Sequence, residues 1–234
     1  MRILTIDTSA VASAAILRLD PSTPGSAVVE AEFATADTRS HAEVLAPGVK
    51  SLFTDPVAEG PQLGAIVVGV GPGPFTGLRS GIAMARTLAF TWGVPLHGLM
   101  SLEALAWDVL AWDVLDGGSG DGGEFVVATD ARRKEVYWAR YSADGELLHG
   151  PVVGPADEIR GVTVHGAGAG IYAEVLAANG CRVDPALAER QPTARSLGLM
   201  AARKIQRGQA LPDTTPLYLR ESDAKVPGPR KRAL

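Results

Sequence analysis

The strongest constraint on the fold is a pattern that occurs twice. An apolar strand ending in Asp plus a small residue opens the chain at Ile6-Asp7-Thr8 and recurs past the midpoint at Thr129-Asp130-Ala131. Each copy leads a run of strands joined by turns, then an alternation of helix and strand. In the first half, Ile3–Thr8, Val11–Leu19 and Ala27–Phe33 are apolar runs, with the turn Asp20-Pro21-Ser22-Thr23-Pro24-Gly25 between the last two. This predicts an antiparallel meander. In the second half, Phe125–Thr129, Glu135–Tyr141 and Leu147–Val153 repeat it around the turn Ala143-Asp144-Gly145-Glu146. Between the copies lies Gly117-Gly118-Ser119-Gly120-Asp121-Gly122-Gly123, which has little side chain to bury and reads as a linker. The sequence therefore predicts an α/β protein of two lobes, 1–116 and 124–223, joined by 117–123 and followed by a basic tail, 224–234.

The remaining elements follow from periodicity. Ser40-His41-Ala42-Glu43 has a capping-box pattern, and Val44, Leu45, Val49 and Leu52 supply an apolar helical face. Pro47 is expected to kink or divide that helix. Leu63–Val70 is a continuous apolar run suited to a strand buried on both faces. A helix is predicted from Leu78 to about Trp92, a strand over Val94–Leu99, and a helix from Ser101 to about Leu115. The last contains Ala-Trp-Asp-Val-Leu twice, at 106–110 and 111–115. Five does not match the helical period, so the copies are expected to point different ways. Further on come a short helix at Pro155–Ile159, a strand at Val162–His165, a helix from Gly166 to about Ala178, and a helix over Ala194–Arg207. This internally duplicated plan resembles that of the actin-like, sugar-kinase and heat-shock-ATPase (ASKHA) superfamily. There, paired turns face each other across a cleft and hold nucleotide phosphates. Asp7, Thr8, Asp130, Arg132, Gly166 and Gly168 are the candidate cleft residues here.

Several chemistries find little support. No run approaches the ~18 apolar residues of a membrane span. The lone Cys181 cannot form an intramolecular disulfide, which suits a reducing cytoplasm. The net charge of −4 gives no overall basic surface, although Lys225, Arg230, Lys231 and Arg232 concentrate charge in the tail. That tail reads as a solubilising end or as a weak RNA or partner contact. Gly71-Pro72-Gly73-Pro74-Phe75-Thr76-Gly77 is not followed by Gly-Lys-Ser/Thr, and its prolines remove amide donors. A tight turn fixing the next helix is the simpler reading. No two of His41, His97, His149 and His165 have the spacing that places two metal ligands on one helical face. There is no Gly-x-Ser-x-Gly elbow. Arg132-Arg133-Lys134 reads either as a solvated hairpin turn or as an anion contact at the cleft mouth. Gly77, Gly81, Ala85 and Ala89 recur every four residues, with Leu78 and Ile82 beside them. Such a smooth stripe permits close approach, either of the chain's own sheet or of a partner subunit.

Five blocks, in order along the chain, resemble the TsaB (YeaZ) family. They are Met1-Arg2-Ile3-Leu4-Thr5-Ile6-Asp7-Thr8-Ser9; His41 with Leu45-Ala46-Pro47; Gly71-Pro72-Gly73-Pro74-Phe75-Thr76-Gly77-Leu78-Arg79-Ser80-Gly81-Ile82; Asp130-Ala131-Arg132 with Glu135-Val136-Tyr137; and Pro216-Leu217-Tyr218-Leu219-Arg220. The resemblance implies a role in making threonylcarbamoyladenosine, the modified adenosine beside the anticodon of ANN-decoding tRNAs. It implies a non-catalytic scaffold that pairs with the transferase TsaD through amino-terminal-lobe helices, in an assembly that includes the ATPase TsaE. Gly77, Leu78, Gly81, Ile82, Ala85, Ala89, His41 and Leu45 are the interface candidates. A homodimer is expected in isolation, tRNA only through the complex, and no membrane. No cofactor is expected on this chain alone, and ATP or ADP at the partner interface stays open. TsaD's metal site uses a His-x-x-x-His pair; here the corresponding segment is His41-Ala42-Glu43-Val44-Leu45, and Leu cannot bind metal. The rival reading is an ATP-dependent kinase or hydrolase of the same superfamily, resting on the paired Asp turns and Gly166–Gly170. A peptidase lacks both the metal pair and a nucleophile. Two features depart from the family pattern: Arg133-Lys134 in the second turn, and the 106–123 duplication and glycine segment.

Overall fold

A computed structural model describes residues 1–20, 27–36, 41–115 and 123–220. The first half comprises β1 (Arg2–Asp7), β2 (Ser13–Leu19), β3 (Ala27–Ala34), α1 (His41–Ser51), α2 (Pro56–Glu59), β4 (Ala65–Gly69), α3 (Phe75–Trp92), β5 (Leu96–Leu99) and α4 (Leu102–Leu115). The second comprises β6 (Phe125–Asp130), β7 (Glu135–Tyr141), β8 (Leu147–Pro155), β9 (Thr163–His165), α5 (Ala167–Ile171), α6 (Ala173–Ala178), β10 (Arg182–Val183) and α7 (Ala194–Gln206). The sheets run β3-β2-β1-β4-β5 and β10-β9-β6-β7-β8. Each is thus a three-strand antiparallel meander whose first strand also pairs in parallel with a later one, β1 with β4 and β6 with β9. One topology is built twice, and the fold is the two-lobed ASKHA type.

Local sequence explains the elements. Ala65–Gly69 is buried throughout, as a strand covered on both faces must be. Edge strand β3 alternates half-buried and exposed residues, and its Glu30 bonds both Arg2 (2.8 Å) and Arg18 (3.0 Å), a charged guard on an open edge. Helix α3 starts at Phe75, three residues earlier than the apolar period predicts, and ends on Gly93 in the left-handed conformation. Helix α1 runs unbroken through Pro47, which lies on its exposed side; the expected division does not occur. The helix expected from Gly166 to Ala178 breaks at Tyr172 into α5 and α6. The short β10 and α2 carry too few residues to show a period. Ser40, the 21–25 turn, most of the glycine segment and the basic tail lie outside the described residues.

The packing does not follow the linear division at 117–123. Helix α4, from the first half, packs on β6 and β7, while α7, from the second, packs on β1 to β4. The two helices also pack on each other. One core cluster accordingly joins Ile3, Leu17 and Val67 of the first sheet, Leu105 and Val109 of α4, Val127 and Tyr141 of the second sheet, and Leu197 and Met200 of α7. A helix between two sheets must be apolar on more than one side, which explains why α4 lacks an amphipathic period. Lys204 of α7 and Glu103 of α4 form an ion pair at 2.8 Å within this layer, and burial raises the Glu103 carboxyl against the lysine's pull. Beyond α7 the chain returns to the first lobe as a strap. Gly98 donates to Pro212 O (2.9 Å), Leu217 donates to Val70 O (2.8 Å), and Arg86 of α3 bonds Thr214.

A shared core predicts shared unfolding. Leu105→Ala should lower stability by about 2–5 kcal/mol. Near-ultraviolet signals from the first-lobe and second-lobe tryptophans should still melt together in urea. Two separated transitions would show that the lobes do not share a core.

Candidate functional site

The first Asp turn is an internal brace. Asp7 ends β1 and is fully buried. Its Oδ1 accepts from Ser9 N (2.9 Å) and Ser9 Oγ (2.7 Å), and its Oδ2 accepts from Ser101 Oγ (2.6 Å). Ser101 Oγ accepts from Gly71 N (3.1 Å), and Ser101 N donates to Gly71 O (2.8 Å). The carboxylate therefore joins β1, the Gly71 turn and the start of α4. Gly69 is required beside it, since a Cβ there would overlap Asp7 Oδ2. From the other side, Ser13 Oγ donates to Asp7 O (3.1 Å) and accepts from Ala194 N at the start of α7 (2.9 Å).

The small-residue stripe belongs to the same brace. Thr8 Oγ1 donates to Gly77 O (2.7 Å), and a Cβ on Gly81 would collide with Thr8 Oγ1. Gly77, Leu78, Gly81, Ile82, Ala85 and Ala89 are all buried within the chain, as is Leu45 of α1. The glycines and alanines of this set let α3 lie on its own sheet, and the set is covered by the chain itself, unlike the exposed face expected of it. The side chain of His41 lies outside the described residues. What α3 turns outward is Thr76, Ala83, Thr87, Thr91 and Phe90, the last 91% exposed.

The second Asp turn is open but its glycines are occupied. Asp130 accepts from Arg132 N (2.8 Å) and pairs with the Arg132 guanidinium at 3.3 Å. Gly166 N donates to Leu187 O (3.0 Å) and Ala167 N to Arg190 O (2.8 Å), so these amides already serve the chain itself. A Cβ on Gly168 would stand 2.8 Å from Ala128 C, so this glycine allows α5 to touch β6. As cleft residues, Asp7 and Thr8 are thus buried structural groups, Gly166 and Gly168 are close-packing groups, Asp130 is half-buried and Arg132 is exposed. Among the described residues, no three His, Cys, Asp or Glu side chains group as a metal site.

A cavity of about 660 Å³ lies between the β2–β3 edge, α4 and the start of α7. Trp107, Trp112, Phe33, Arg190 and Arg195 line it, with Asp108 on its wall. Ser196 Oγ donates to Asp108 Oδ1 (2.6 Å), and burial raises the Asp108 carboxyl despite that bond. Both tryptophans of the tandem Ala-Trp-Asp-Val-Leu copies flank this one space, whereas sequence periodicity set them apart. Their length bridges the angular gap between them.

His165, just before the second glycine turn, is buried beside Asp184 (3.7 Å) and Phe125. Burial holds its pKa down at about 4, against the pull of Asp184. A base whose folded pKa is depressed leaves the unfolded state binding more protons between about pH 4 and 6.5, so stability falls as pH drops through that window. The penalty is roughly 3 kcal/mol when fully developed. His165→Phe should retain more of its neutral-pH stability at pH 4 than the parent does, measured by urea midpoints. Equal losses in the two proteins would refute the assignment.

Comparison with known proteins gives a consistent result. The family profile described as "TsaD: tRNA N6-adenosine threonylcarbamoyltransferase" matches residues 31–225. An uncharacterized protein of Mycobacterium tuberculosis is 37% identical over 95% of this chain and 93% of its own length. The tRNA threonylcarbamoyladenosine biosynthesis protein TsaB of Bacillus subtilis is 36% identical over 63% of this chain and 58% of its own. The solved structure of YeaZ from Pseudomonas aeruginosa superposes with a TM-score of 0.71 and 26% identity, covering 93% of this chain and 99% of that one.

Proposed function

The chain belongs to the family of that TsaD profile and to its TsaB (YeaZ) members, and from this premise we propose that it is a non-catalytic subunit that serves tRNA threonylcarbamoyladenosine formation by binding TsaD. Its role lies in the biosynthesis of that modified nucleoside. The observation that carries the scaffold reading is the fate of Asp7. The carboxylate that a phosphate-handling member of the superfamily would turn toward its ligand is fully buried here and engaged by Ser9 and Ser101. Leu45 adds to this, since the position corresponding to a metal-binding histidine points into the core.

The partner face we assign is the outer side of α3 with the neighbouring α1, not the buried stripe. Phe90 is a large apolar side chain left 91% exposed, and Val57 is a further exposed apolar group on the same lobe. Exposed large apolar side chains of this kind favour a protein partner. In isolation the same face serves a second copy of the chain, and TsaE joins only through the complex. ATP or ADP belongs, in this reading, at the partner interface. The rival reading of an ATP-dependent kinase or hydrolase needs an acid free to meet a phosphate. Calorimetry of the isolated chain with Mg-ATP separates the two, with tight binding and turnover favouring the enzyme.

Phe90→Asp and Ala83→Arg should abolish co-elution with TsaD while leaving circular dichroism and melting unchanged. Gly81→Arg should instead fail to fold, because its side chain would enter the Thr8 contact. A folded Phe90→Asp, Ala83→Arg double variant that still co-elutes with TsaD sinks the assigned face.

A further inference from the structure

The turn between β6 and β7 is under backbone strain that no other described segment shares. Arg132, Arg133 and Lys134 have φ of 61°, 56° and 64°, and they are the non-glycine residues with positive φ among the described ones. The left-handed region is unfavourable for L side chains, and glycine is its relaxed occupant. Here, three in a row are long cations. The turn is held by its surroundings: Arg132 N on Asp130 Oδ1 (2.8 Å), Glu135 N on Arg132 O (3.0 Å), and Ala131 N on Glu135 O (2.9 Å). The Arg220 guanidinium bonds Arg132 O (3.3 Å) and the Glu135 carboxylate from outside. Strain that persists because neighbours over-determine it is characteristic of functional positions.

The strap carries this turn's surface over to the first lobe. Two residues before Arg220, Tyr218 packs on Phe75 with ring centroids 4.9 Å apart. Arg79 places its guanidinium carbon 3.6 Å over the Phe75 ring and donates to Tyr218 OH (3.3 Å). Phe75 and Tyr218 stay 49% and 42% exposed. Arg79 thus meets Tyr218, and Arg220 two residues on meets the 132–134 turn, with Arg132 paired to Asp130 and Arg220 to Glu135, on a chain whose net charge is −4. The cations at the turn are pre-arranged by rigid backbone, and flat aromatic and guanidinium faces lie exposed beside them.

We propose that this strip, from Phe75 and Arg79 through Tyr218 and Arg220 to Arg132-Arg133-Lys134, binds the phosphate backbone of an RNA. Guanidinium forks match phosphate oxygens, and an exposed aromatic pair stacks on an unpaired base or ribose. The proposal rests on the reading of the chain as a tRNA-modification subunit, and it gives this subunit its own hold on the tRNA in place of contact solely through the complex.

The test uses the full chain, alone and in complex with TsaD, and an unmodified tRNA transcript with an ANN anticodon. Anisotropy is read from 50 to 200 mM KCl. The variant Arg132→Gly, Arg133→Gly, Lys134→Gly removes three cations and relieves the backbone, so it should melt no lower than the parent and co-elute with TsaD unchanged. It should bind the tRNA on the order of 100-fold more weakly near 0.1 M salt, with a log–log salt slope shallower by about 2–3. Arg133→Glu, carrying a single change, should weaken binding in the same direction. Unchanged affinity and slope in the folded triple variant overturn the proposal. So does loss of TsaD co-elution in that variant, which would make the strip a protein contact. Binding to phosphatidylserine vesicles that the variant loses while keeping tRNA overturns it in favour of a lipid surface. A salt slope abolished by deleting 224–234 but untouched by the triple variant would assign the RNA contact to the tail instead. If the parent chain itself fails to co-elute with TsaD, the subunit reading is lost, and the chain-alone titration still decides the RNA contact.

Discussion

The buried carboxylate of Asp7 is the interaction on which the first lobe depends. It sits at the end of β1, where the strand, the Gly71 turn, α4 and α7 converge, and hydroxyl and amide donors from Ser9 and Ser101 surround it. A carboxyl group in a protein interior is tolerable only when its oxygens find hydrogen-bond partners. Finding them here fixes the geometry of the turn that starts α3, whose glycine carbonyl then meets Thr8. The glycine at 81 follows as a steric consequence, because α3 can lie this close to Thr8 only without a side chain at Gly81. One acidic residue thereby accounts for two serines, Ser9 and Ser101, and for the turn that starts α3.

The second lobe repeats the topology without repeating the brace. Asp130 ends β6 as Asp7 ends β1, yet it is only half-buried and caps a turn of cations. The glycines after β9 contribute close packing, and their amides bond the 187–190 segment. The two sheets share a topology while their Asp turns differ, the first buried and hydrogen-bonded inside the lobe and the second more exposed. The lobes are nonetheless one body, since α4 and α7 each pack on the sheet of the other half.

Much of this was legible in the sequence. Both meanders, their order and the long helices followed from apolar period and turn chemistry, since those signals are local. The packing of α4 and α7 across the two halves was not legible, because α7 and the strap pair with residues more than a hundred positions earlier, and periodicity carries no such information. The stripe was correctly seen as a close-packing surface, but spacing alone does not distinguish an internal sheet from a foreign helix. The burial of Asp7 and Thr8 beside Gly69 and Gly81 decides it. The strained cations at 132–134 were visible as an unusual run, whereas their left-handed backbone was not, because nothing in Arg or Lys signals positive φ. The cavity flanked by Trp107 and Trp112 escaped notice, since its other walls come from the β2–β3 edge and the 190–199 segment.

The central claim is that Asp7 works for the fold through Ser101. An equilibrium-unfolding double-mutant cycle on Asp7→Asn and Ser101→Ala measures that directly. A buried, shared hydrogen bond predicts a coupling of about 1–3 kcal/mol, with the second substitution costing much less once the first is made. Strict additivity of the two single losses would contradict it, and with it the view that this turn has exchanged a ligand for an internal partner.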